Sequence, residues 1–73
     1  MLQVYPNPTS GFIYINSKGK AFSHVEIFNL SGQLLNRVRL NPSGNTSVEL
    51  SEYGTGLYLL KIGMLVEKVI VVE

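Results

Sequence analysis

Val25-Glu26-Ile27-Phe28-Asn29-Leu30-Ser31-Gly32-Gln33-Leu34-Leu35-Asn36-Arg37-Val38 is the stretch that decides how this chain folds. Val25 and Ile27 alternate with His24 and Glu26, which makes one side of the segment apolar and the other polar. A repeat of two marks a half-buried strand, because successive side chains on an extended backbone point to opposite faces. Asn29-Leu30-Ser31-Gly32 then interrupts two apolar runs. Glycine reaches positive φ without a Cβ clash, so the interruption predicts a hairpin turn with Gly32 in the left-handed region.

Working outward, the other glycines punctuate the chain in the same way. Gly11, Gly19, Gly44, the Gly54/Gly56 pair and Gly63 each sit in a small or polar gap between segments rich in β-branched and aromatic residues. Those segments are residues 2–5, 12–16, 23–30, 33–40, 46–50, 57–62 and 65–72. Short strands at such regular spacing predict an all-β fold, a small Ig-like β-sandwich of about seven antiparallel strands in two sheets. Helix is disfavoured because no segment carries a sustained apolar stripe of period 3.6. Ile13 and Ile15 should face inward, leaving Phe12 and Tyr14 on the other side. Val25, Ile27, Tyr58, Leu60, Ile62, Val69 and Val71 complete the expected core. Ile62-Gly63-Met64-Leu65 reads as a second hairpin with a two-residue loop.

Composition narrows the function. The 73 residues are 45% hydrophobic and 15% charged, which suits one small folded domain spanning residues 1–73. Cys and Asp are both absent, the only histidine is His24, and the acids are Glu26, Glu49, Glu52, Glu67 and Glu73. A disulfide framework, a thiol nucleophile, a histidine-based zinc site and a Ser-His-Asp triad all lack parts. The reading is of a non-enzyme with no cofactor and no metal. Lys18, Lys20, Arg37, Arg39, Lys61 and Lys68 are scattered and the net charge is +1, so no basic stripe for nucleic acid is visible. No apolar run approaches the ~20 residues of a membrane-spanning helix, and residues 1–6 lack the basic head and apolar stretch of a signal peptide. Asn29-Leu30-Ser31 and Asn45-Thr46-Ser47 match the glycosylation pattern, as chance matches do in a domain rich in these residues.

Three stretches taken together carry a resemblance. Val4-Tyr5-Pro6-Asn7-Pro8-Thr9-Ser10-Gly11 precedes an alternating strand, and Val25 to Gln33 forms the hairpin centre. Leu50-Ser51-Glu52-Tyr53-Gly54-Thr55-Gly56-Leu57-Tyr58 leads to Lys61-Ile62 and then Glu67-Lys68-Val69-Ile70-Val71-Val72. In order and spacing the chain resembles the type A C-terminal sorting domain of the type IX (Por) secretion system of Bacteroidota. The resemblance implies a non-catalytic secretion signal at the end of an exported protein. Its implied partners are the outer-membrane translocon, shuttle proteins, and a sortase-like cysteine peptidase acting at or upstream of the N-terminus. The passenger would then be attached at the cell surface or released outside the cell. Met1 stands where passenger or linker sequence would continue, and Glu73 stands where the family often ends on a basic residue.

Within these motifs most residues have a structural reading. Pro6 and Pro8 fix φ and remove donors at a strand end, with Asn7 between them. Gly11, Gly32 and Gly56 serve the backbone, and Tyr58 is a core aromatic with its hydroxyl at the rim. The last strand is different. Lys68, Val69, Ile70, Val71 and Val72 form a run apolar on both faces, as in a strand that is covered twice or open to a partner. That partner would be the translocon, by strand addition, or a second copy in a dimer. The competing function is a carbohydrate-binding or adhesion module of a secreted enzyme, with Phe12 and Tyr14 as a stacking platform.

Overall fold

Alternation along each strand decides which side turns inward, and two sheets close over the result. The computed structural model describes residues 3–17, 22–42 and 44–72. Its strands are β1 (Gln3–Tyr5), β2 (Phe12–Asn16), β3 (His24–Phe28), β4 (Leu34–Arg39), β5 (Asn45–Glu49), β6 (Gly56–Ile62) and β7 (Leu65–Val71). One sheet has the order β1-β2-β5 and the other β4-β3-β6-β7, with every pairing between named strands antiparallel. This is the two-layered all-β sandwich that the glycine spacing predicts. The strand ends move by only one or two residues, and Leu2 and Gly19 lie outside the described residues.

The three-stranded sheet contributes Ile13, Ile15 and Val48 to the core, all buried. Opposite them lie Val25 and Ile27 of β3, Tyr58, Leu60 and Ile62 of β6, and Val69 and Val71 of β7. Leu40 and Leu50, just outside the strands, fill the remaining space. Every residue expected to face inward does so, while Phe12 and Tyr14 are exposed.

Both predicted hairpins form. At the β3–β4 turn Gly32 adopts φ +86°. The Asn29 side chain finishes the turn, with Oδ1 accepting from the backbone N–H groups of Ser31 and Gln33 at 3.0 Å each. Asn29 thus belongs to the turn itself. At the β6–β7 turn Gly63 adopts φ +62°, and a Cβ built there would lie 2.5 Å from the Phe22 ring. Two independent constraints, conformation and space, therefore demand glycine at this position.

The β3–β4 pairing carries a feature that alternation does not foretell. Ile27 stands opposite Asn36 and Phe28 opposite Leu34, so Leu35 is an extra residue and the register shifts there. The bulge lets Leu35 pack on the core while Leu34 crosses to the outer face.

Between β5 and β6 the chain makes one 3-10 turn, Ser51–Tyr53. The Tyr58 hydroxyl lies 2.8 Å from the carbonyl oxygens of both Tyr53 and Gly54, tying β6 to the turn before it. A tyrosine that bonds back to the backbone a few residues upstream is the corner device of Ig-like sandwiches. The expected core aromatic with a hydroxyl at the rim is therefore also a clamp.

Candidate recognition surface

On β7, Val69 and Val71 are committed to the core, so the residues between them must point the other way. Ile70 is 45% exposed and Val72 44%, and Lys68 is exposed beside them. Gly56 and Tyr58 of β6 stand directly opposite Val71 and Val69. Gly56 reaches φ +147° and Gly11 φ +158°, both in keeping with a backbone role. Gly32 lies in the β3–β4 hairpin, on the opposite side of the sheet order from β7.

The edge of β7 is where sequence and structure part. Strand addition requires a row of free N–H and C=O groups, but residues 7–9 already lie along it. Asn7 Nδ2 donates to the carbonyl of Lys68 at 2.6 Å, and Asn7 Oδ1 accepts from the N–H of Ile70 at 3.0 Å. The Thr9 N–H donates to the carbonyl of Ile70 at 2.9 Å, and the Val72 N–H donates to the carbonyl of Thr9 at 2.8 Å. Thr9 and Val71 form a parallel bridge. Thr9 is itself buried, its hydroxyl accepting from the N–H of Gly11 and donating to the carbonyl of Phe12.

Residues 7–9 are therefore a strap over the second half of β7. A strand adding along Lys68 to Val72, from a partner or a second copy, would have to displace it. The physical reason is the chemistry of Asn. Its amide holds a C=O acceptor and an N–H donor side by side in one plane, the two kinds of group a strand backbone offers, so it can pair with an edge. Its neighbours Pro6 and Pro8 have no N–H to offer, and both are preceded by cis peptide bonds. The signal available beforehand was an amide side chain between two residues unable to donate. Asn7→Ala should lower the stability by about 1 kcal/mol, or about 4–8 °C in melting temperature. Amide exchange at Ile70 should quicken as well. Unchanged exchange there would mean that the strap does not guard the edge.

The outer face of the four-stranded sheet extends from the exposed side of β7. Across β4, β3 and β6, Arg37, Glu26 and Lys61 stand in one row, continued by Val66 on β7. The next row is Leu34, Phe28, Leu59 and Lys68, and beyond it Leu57 faces Ile70. His24 pairs with Arg39 at the other end. A shallow hollow of about 310 Å³ opens among His24, Glu26, Arg37 and Lys61. His24 is half-buried, with Nδ1 2.9 Å from the Ser23 hydroxyl.

The opposite sheet presents Tyr5, Phe12 and Tyr14, with the two tyrosine rings 5.9 Å apart and tilted by 36°. Among the described residues no three His or Glu side chains gather as a metal site requires.

A family model described as the secretion system C-terminal sorting domain matches residues 3–72. The chain belongs to that family, the type IX sorting domains. The match runs from β1 through β7, so the strap and the strand it covers both lie inside this sorting domain. No curated protein and no solved structure matches it. A sorting domain is a signal rather than a catalytic unit, and it marks a protein for export across the outer membrane through the type IX system.

Proposed function

We propose that the domain is the address by which the outer-membrane translocon and its shuttle proteins take up a passenger fused ahead of it. In this reading a sortase-like cysteine peptidase then cuts at or upstream of the N-terminus, and the passenger is attached at the cell surface or released. One observation carries the recognition role. Ile70 and Val72 stay exposed on a strand whose alternate residues are buried and whose edge is strapped. Lys68, Ile70 and Val72 supply the contacts, while Val69 and Val71 hold them in place from the core.

The test fuses the chain behind a reporter passenger in a Bacteroidota host. Export should require both the domain and an intact translocon, and mass spectrometry of the exported passenger should show the domain removed near its first residues. Passenger retained with the domain still attached would overturn the processing step. Export that ignores the domain would overturn the sorting role, and would favour sugar binding on Tyr5, Phe12 and Tyr14.

A further inference from the structure

The register of the four-stranded sheet sorts its outer face into two halves. Leu34, Phe28, Leu59, Leu57, Ile70 and Val72 make a continuous apolar strip that crosses from β4 to the end of β7. Leu34, Ile70 and Val72 are exposed, and Phe28, Leu57 and Leu59 are half-buried between them. Arg37 and Lys61 stand in the row beside this strip, Arg39 stands one row further on, and Lys68 interrupts the strip at the β7 edge. These four are all the Lys and Arg residues among the described positions, and Glu26 is the one acid among them on this face. Glu49 projects from the outer face of the three-stranded sheet, Glu52 lies in the 3-10 turn, and Glu67 shares the inward parity of Val69.

Among the described residues the positive charge thus lies on the same face as this exposed apolar strip. Neither feature belongs to the buried core, which lies on the other side of the sheet. Glu26, flanked across the ladder by Arg37 and Lys61, offsets only part of that charge.

We infer that this outer face docks a protein surface bearing an apolar ridge bordered by carboxylates, the ridge lying along Leu34, Phe28, Leu59 and Ile70. The inference rests on the sorting role and gives the chemistry of the translocon surface that meets the domain. Apolar contact at the centre holds the complex, and the basic rim steers it. Rim charges act mainly on the association rate and on its salt dependence. Electrostatic steering of this kind changes association by about 10–1,000-fold.

The experiment uses the chain fused behind a fluorescent passenger and two vesicle preparations. One comes from the outer membrane of a type IX-competent host, the other from the same host without the translocon. Binding to the first should weaken about tenfold or more between 50 and 300 mM salt. Arg37→Glu with Lys61→Glu should weaken it by a similar factor at low salt, and Arg37→Gln with Lys61→Gln by less. Tyr14→Ser, on the other sheet, should bind like the parent. Melting curves confirm that each variant is folded, and the glutamine pair keeps the test open if the glutamate pair is not.

Parent-like binding by the folded charge variants would overturn the inference. So would equal binding to vesicles without the translocon, since the occupant would then be a lipid surface. Failure of the parent chain to export its passenger would instead sink the sorting role. Export by the parent with unchanged binding by the variants would sink only the docking face.

Discussion

Replacing Ile70 and Val72 together by lysine is expected to stop export of a fused passenger while leaving the domain folded. Both side chains point away from the core, and the bonds from Asn7 and Thr9 to this strand use its backbone. Stability should therefore move by less than about 1 kcal/mol. Recognition should suffer far more. An ammonium group brought against an apolar ridge loses its hydration without gaining a partner, a cost of several kcal/mol. Loss of even ~2.8 kcal/mol is about a hundredfold in affinity. The added charges have the same sign as the basic rim, so a purely electrostatic dock would tolerate or welcome them. Export and a melting curve, measured on the same variant, decide the matter. Normal export by the folded double variant would remove the end of β7 from the recognition surface.

Ile27→Ala should have the largest effect on the fold itself. Ile27 is fully buried at the centre of the four-stranded sheet, opposite Leu60 of β6 and Asn36 of β4. Truncating such a side chain costs about 2–5 kcal/mol, from lost transfer energy and the cavity left behind. A domain of this length holds about 4–11 kcal/mol in all. The variant should therefore melt far below the parent or be unfolded at ordinary temperature. Urea unfolding of both chains measures this, and a loss under ~1 kcal/mol would show that neighbouring side chains collapse into the space.

Most of the sandwich was legible because burial acts on a period of two. Ile13 and Ile15, Val25 and Ile27, and Tyr58 to Ile62 each state their inward side in a handful of residues, and Gly32 and Gly63 state where the chain reverses. The extra residue at Leu35 was not legible, because a bulge depends on the partner strand and leaves no mark in the local pattern. The strap was hidden for a related reason. An apolar C-terminal strand predicts an edge in search of a partner, but pairing between Asn7 and Ile70 is a fact of three dimensions that spans nearly the whole chain. The outer face lay between these cases. Its basic residues look scattered along the chain, and only the ladder register brings Arg37, Lys61 and Lys68 to one side.

The strap also orders events in time. The β6–β7 hairpin closes through a two-residue loop, a local step that takes microseconds. The strap closes a loop of more than sixty residues, which costs about 3–4 kcal/mol of chain entropy before any contact repays it. A β6–β7 hairpin formed before the strap closes would have its outer edge bare. In the folded chain Asn7 and Thr9 occupy the backbone groups of Lys68, Ile70 and Val72 that such an edge would offer. With the strap closed, what β7 still presents to solvent is its side chains and not its backbone edge.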